Sequence, residues 1–222
     1  MILVNKGKGL NYLILSLLAF SGLGLEALLA FLIEPMIYGL QMGEWSVRQN
    51  ILHWCITCLL WLLISSFLIK YAKNKNKFDI FEETKKMKLW QWITVVIFVL
   101  FSFILSYFDW SGFKIIKEFV YNGWLKFIFQ YIYYMVEVAL VLQIIVFAQK
   151  AIEIWTEKQN IPWGGIICAL TWGAVHLVSR GSFDVSNCIL SALSGFMFGC
   201  VYLLTNRDIK KSWLISLLIF VL

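Results

Sequence analysis

Two ionisable residues sit where a charge is hard to keep. Glu137 lies in the apolar run Tyr134-Met135-Val136-Glu137-Val138-Ala139-Leu140, and His176 in Thr171-Trp172-Gly173-Ala174-Val175-His176-Leu177. A charged side chain at mid-bilayer costs at least about 2.5–3.5 kcal/mol. A Glu and a His deep in consecutive apolar segments therefore point to a shared site. A carboxylate beside an imidazole can activate water as a general base with an orienting partner, or hold a divalent cation. Zinc catalysis takes three protein ligands plus a water. The chain has two His, and His53 belongs to a distant segment. A divalent metal such as zinc would thus need a mixed Glu/Gln/His/Asn set led by Glu137 and His176, and the residues leave that question open.

Other polar residues lie nearby in sequence. Gln143, Gln149 and Glu153 follow Glu137 on the same segment, and Asn187, Ser191 and Ser194 lie in the segment after His176. Gln149 and Glu153 share a helix face by their spacing of four. With Gln143, Trp172 and Asn187 they are the candidates for supporting polar partners. Gln143 also reads as an interhelical hydrogen-bonding group, and Glu153 as a partner of Lys150 or Lys158. Glu26, Glu34 and His53 are expected near the outer interface, within reach of solvent. Of the five cysteines, Cys55-x-x-Cys58 has the spacing of a redox or zinc pair. No second pair or nearby His completes a metal set, so these read as small packing residues.

The elements that must position these residues follow from composition. The 222 residues are 61% hydrophobic and 14% charged, against about 45–50% and about 25% in soluble domains. That excludes a soluble globular domain, a disordered chain and a collagen-like fibre. Long continuous apolar runs and only 2 Pro favour helices over the short alternating segments of an outer-membrane barrel. The expected fold is all-α: a single integral membrane domain over residues 1–222, a polytopic bundle of about six spans. They run from Leu10 to Ile33, Ile51 to Ile69, Leu89 to Phe108, Phe127 to Ala148, Ile161 to Val178 and Cys188 to Leu204. The stretch Asp109–Gly123 carries Phe113, Ile116, Phe119 and Val120 at helical spacing, as a short interfacial helix would. The last piece, Trp213–Leu222, rises only about 15 Å, half of a hydrocarbon core of about 30 Å, and is expected as a half-helix.

Charge orients the bundle. With the N-terminus in the cytoplasm, fourteen Lys and Arg face inward, seven of them between Lys70 and Lys88, and five face outward. That bias predicts N-in. The net charge of +6 suits anionic lipid rather than nucleic acid in so apolar a chain. The setting expected is a bacterial plasma membrane.

Over roughly residues 130–222 the order of these features resembles the CAAX-protease and bacteriocin-processing (CPBP, or Abi) intramembrane proteases. That family carries Glu-Glu-x-x-x-Arg, then Phe-x-x-x-His, then His-x-x-x-Asn/Asp/Ser. Glu137 matches the first Glu, with Val138 at the second and Leu142 at the Arg; Trp172-x-x-x-His176 matches the second motif with Trp for Phe. Gly195-x-x-x-Gly199-x-x-Tyr202 is similar to the Gly-rich span that follows. Trp213–Leu222, where the third motif belongs, contains no His. The resemblance implies an endopeptidase acting on a membrane-associated peptide or lipidated peptide. Glu137 would activate water, and His176 would orient it, stabilise the oxyanion or hold a metal. It equally accommodates a degenerate member acting by binding, as a bacteriocin self-immunity or membrane adaptor protein. A small proton-relaying transporter is the remaining alternative.

Overall fold

The structure, a computed structural model, describes residues 2–177 and 183–222, with side chains described from Gly7 onward. Val178, the expected end of the fifth span, and Arg180, counted among the outward charges, lie outside the described residues.

Every regular element among the described residues is helical. Helix α1 (Ile2–Leu28) continues through a π-turn at Leu29–Ile33 into α2 (Glu34–Tyr38), which stops at Gly39 in the left-handed region. Ser46 and Gln49 form a reciprocal capping box at the start of α3 (Val47–Asn76), a device that satisfies amides the first turn leaves open. An irregular stretch from Lys77 to Lys88 leads to α4 (Leu89–Asp109). Helix α5 (Lys114–Thr156) is broken at Gly123, where φ 68° and ψ 168° suit glycine alone. Its first piece, residues 114–122, is a short helix within the stretch Asp109–Gly123. Then follow α6 (Trp163–Cys168), a second π-turn at Ala169–Gly173, α7 (Val185–Leu204) and α8 (Ile209–Val221).

Five helical stretches are long and apolar enough to cross a membrane: Gly7–Tyr38, Val47–Asn76, Leu89–Asp109, Lys114–Thr156 and Val185–Leu204. These are compatible with an integral membrane protein. Exposed Leu89, Ile93, Val96, Ile97, Leu100 and Ile104 form one continuous stripe along α4, at the spacing of a single helix face. Lipid tails are the surroundings that suit such a stripe.

The fifth of the expected spans, Ile161–Val178, is not one of them. Pro162 precedes the helix, and the helical stretch Trp163–Gly173 has 11 residues. That is a rise of about 16 Å, too short for a core of about 30 Å. Beyond it, His176 and Leu177 donate their amides three residues back, to Gly173 and Ala174, so the segment tightens there. Hydropathy registers the apolar run but not the proline, the π-turn or this tight end. Helix α8, with 13 residues, is short as expected.

Helix α5 is the axis of the molecule. Of its most apolar stretch 67% is buried, against at most 44% in any other candidate span. It packs on α1, α3, α6, α7 and α8, and Leu140, Ile144, Ile145 and Phe147 are fully enclosed. Glycines let α6 and α7 approach closely: a Cβ on Gly199 would lie 2.3 Å from the Gly165 Cα. The Gly195/Gly199 spacing seen in the sequence is thus a packing surface.

Candidate functional site

Trp172 joins the two residues that the sequence singles out. It stands in the π-turn after α6. Such a turn shifts the backbone ladder by one residue and is frequent at functional sites. Its indole N–H donates to Glu137 Oε1 at 3.1 Å, and its carbonyl oxygen accepts from His176 Nδ1 at 2.7 Å. The Trp172 and His176 rings meet edge to face at 4.6 Å. Because a backbone carbonyl only accepts, Nδ1 carries a proton, and in the neutral ring Nε2 is then the acceptor. The segment is tied down from α7: Asp184 caps the helix through the Asn187 amide, and Asn187 Nδ2 donates to the His176 carbonyl at 3.0 Å.

Glu137, Trp172, His176 and Asn187 line one cavity of about 880 Å³, together with Glu26 and Tyr133. The volume is in the range of ligand pockets. Glu137 is buried, and the Trp172 indole supplies the one hydrogen bond that its carboxylate accepts from the described residues. Lys114, expected in an outward loop, reaches the same cavity. Its ammonium donates to the Phe220 carbonyl at 2.6 Å and lies over the Tyr134 and Phe220 rings.

Three of the supporting candidates stand elsewhere. Gln143 donates to Ser65 on α3, an interhelical contact. Gln149 donates to Glu153 Oε1 at 2.7 Å and to the Ile161 carbonyl at 2.9 Å, and accepts from the Gly164 amide at 2.9 Å. Glu153 takes Arg207 at 2.7 Å as its cation, in place of the expected Lys150 or Lys158. Gln149 and Glu153 follow Glu137 on α5 by 12 and 16 residues, which is about 18 and 24 Å. They hold α5, α6 and the α7–α8 turn together and do not reach the cavity.

The interface expectation for Glu34 and His53 gives way to burial. Glu34 is 3% exposed and His53 2%, with Glu34 Oε2 2.6 Å from His53 Nδ1. Glu26, part-exposed and lining the cavity, lies 3.8 Å from His53 Nε2. Trp45 covers the pair, its ring 5.4 Å from that of His53. One signal was available: Glu34 and His53 are nearly equidistant from Gly43 in the loop between the first two spans, so antiparallel helices bring them to one depth. Glu118 was also passed over. It is buried and accepts from the Tyr131 hydroxyl at 2.9 Å and the Tyr134 hydroxyl at 2.8 Å, which pins residues 114–122 against the longer part of α5.

The donors do not fit a catalytic metal. Among the described residues no group of three or more His, Cys, Asp and Glu is placed to hold an ion. Glu137 and His176 make two ligands where zinc takes three. No protein-family model matches the chain, and neither a curated protein nor a solved structure matches it.

Proposed function

We propose that this chain is an intramembrane hydrolase of CPBP type, with its N-terminus inside and its cavity on the outer half of a bacterial plasma membrane. It cleaves a peptide bond in a membrane-associated or lipidated peptide. One observation carries the reading: Trp172 bonds both Glu137 and His176 on the wall of one cavity. In this mechanism the water nucleophile gives one hydrogen bond to Glu137 and the other to His176 Nε2. As the water oxygen attacks the amide carbon, its proton passes to Glu137. The C–N bond then breaks, and Glu137 returns the proton to the leaving nitrogen. The Trp172 indole holds the carboxylate in place, and its carbonyl fixes the imidazole tautomer. With Nε2 an acceptor, His176 orients water rather than stabilising an oxyanion.

The test is a defined mixture of lipidated and unmodified membrane-associated peptides, incubated with the protein in nanodiscs. Mass spectrometry reads new termini. General-base catalysis is worth roughly 10²–10⁴-fold, so Glu137→Gln should slow their appearance at least about a hundredfold, and His176→Ala should also slow it. Equal product from the wild type and both variants would end the reading.

A second reading has its own observation. Val138 and Leu142, at the family's second Glu and Arg positions, are each 1% exposed in the apolar core. No rotation of α5 brings them to the cavity without unpacking it. A chain that binds peptide without turnover, as an immunity or adaptor protein, matches that substitution. It predicts peptide retention that survives Glu137→Gln, with no new termini.

A further inference from the structure

We infer that the end of the Lys77–Lys88 stretch and the first turns of α4 form a docking site for an anionic phospholipid, with Lys85, Lys86 and Lys88 at its phosphate and Leu89, Trp92 and Ile93 along its tails. The site goes beyond the proposed hydrolase and stands without it.

The stretch has no regular structure, yet its last residues are fixed. Asn206 Nδ2 donates to the Lys85 and Lys86 carbonyls at 3.1 Å each. Gln91, buried in the first turn of α4, donates to Asn206 Oδ1 at 2.9 Å and to the Leu204 carbonyl at 2.7 Å, and accepts from the Lys88 amide at 2.7 Å. The backbone of all three lysines is thus tied to the α7–α8 turn, while their side chains are exposed. The acidic residues come earlier in the stretch. Asp79 is taken by Lys73 at 2.7 Å, and Glu82 and Glu83 line a polar recess with Lys85 and Arg207. Lys86 and Lys88 lie nearest in the chain to Leu89.

What begins at Leu89 is apolar. Leu89, Trp90, Trp92 and Ile93 are exposed and start the stripe that runs along α4 to Ile104. Four residues of chain reach at most about 14 Å, so the backbone of each lysine lies within that distance of Leu89. Tryptophans gather at the depth where hydrocarbon gives way to headgroups, and Trp90 and Trp92 mark that depth here. Lysine stems can lie along apolar surface and still keep the ammonium at the interface. A guest of this surface therefore meets positive charge at headgroup depth and an apolar face directly beside it. A soluble polyanion or free phosphate would use the lysines and leave the stripe. A zwitterionic phospholipid would use the stripe and bring its own ammonium to the lysines. An anionic phospholipid matches both parts.

The experiment offers the full chain, in detergent micelles, equal amounts of phosphatidylglycerol and phosphatidylcholine with the same acyl chains. Native mass spectrometry counts the lipids retained. Each lysine near an anionic headgroup is worth roughly fivefold, so the wild type should keep phosphatidylglycerol at least about tenfold over phosphatidylcholine. The triple variant Lys85→Gln, Lys86→Gln, Lys88→Gln should lower that preference at least about tenfold, with melting temperature confirming the fold. A second triple variant, Lys70→Gln, Lys75→Gln, Lys158→Gln, removes the same charge from exposed positions outside the site and should keep most of the preference. Equal retention of the two lipids by the wild type overturns the proposal without recourse to any variant. A preference lost equally in both triple variants also overturns it, because diffuse surface charge then suffices. Glycerol phosphate, a headgroup without tails, should not displace phosphatidylglycerol at equal concentration. Displacement would show that a free phosphate fills the site and would sink the lipid.

Discussion

Glu137 and Glu153 are the same residue type on the same helix, about 24 Å apart, and their surroundings have opposite designs. Glu153 is closed. Arg207 meets it at 2.7 Å, Gln149 donates to it, and Gln149 in turn holds the Gly164 amide. Each strong group in that network has a partner of matching chemistry. Glu137 is open: among the described residues one indole N–H donates to it, and its side chain lines a cavity with Glu26 and His176. Burying a polar group without full compensation costs free energy. One end of α5 thus holds the bundle, and the other lines its cavity.

The largest effect should come from breaking the closed end. A Cβ on Gly164 would stand 2.1 Å from the Ile145 carbonyl oxygen, a backbone atom that cannot step aside alone. Gly164→Ala forces α6 off α5 and pulls the Gly164 amide from Gln149. Overpacking of this kind costs about 3 kcal/mol. At about 2–4 °C per kcal/mol for a chain of this size, thermal unfolding in detergent should begin roughly 6–12 °C lower. An unchanged melting temperature would show that the α5–α6 contact is looser than the geometry implies.

The next test asks for opposite signs from the same chemical change. Glu153→Gln leaves the Arg207 guanidinium without its carboxylate. The pair is partly exposed, so the loss should be about 1–2 kcal/mol rather than the 3–5 of a fully buried pair. Glu137→Gln keeps shape and replaces a buried carboxyl that accepts one hydrogen bond from the described residues, so stability should hold or rise by about 1 kcal/mol. Parallel melting curves of the two variants decide it. If Glu137→Gln destabilised as much as Glu153→Gln, the open end would be a structural network too, and the functional reading of the cavity would lose its basis.

That contrast was only partly legible in the sequence. Helix α4 was read almost to the residue, Leu89–Phe108 against Leu89–Asp109, because charges or turn residues bound the apolar run on both sides. Helix α3 runs to Asn76 rather than Ile69, since a helix leaving the membrane needs no apolar residues to continue. The nearness of Glu137 and His176 followed from consecutive segments, and Trp172 was already among the candidates. What hydropathy gives is depth, not rotation. It could not tell that Gln149 and Glu153 turn toward Arg207, which arrives from the α7–α8 turn with Asn206 and Arg207 both at positive φ. Nor could it tell that Glu34 and His53 face each other inside the protein. These pairings join residues far apart in the chain, and each depends on the angle at which a helix presents a side chain.

The smallest effect concerns how the closed end responds to acid. Asp208 caps α8 through the Lys210 and Lys211 amides and pairs with the Lys211 ammonium. Burial pushes its carboxyl up, but the Lys211 side chain and the two amides outweigh this and hold it below the ordinary carboxylate value. Asp79, beside the Lys73 ammonium at 2.7 Å, is held low as well, chiefly by that hydrogen bond. A folded value below the unfolded one stabilises the protein above the unfolded value of about 4, and the gain is lost as pH falls through the folded value. Asn is about as good a cap as Asp but does not titrate. Asp208→Asn should therefore melt a little below the wild type at pH 7, by less than about 1 kcal/mol, and the gap should narrow as the pH falls below about 4. Run on Glu137→Gln, the same series should keep the wild-type gap between pH 7 and pH 3 for the Asp208 exchange. The cap and the cavity stand at opposite ends of the bundle, and distant sites with no shared partner add. A gap that changed with the Glu137 exchange would mean that the two ends of the bundle communicate.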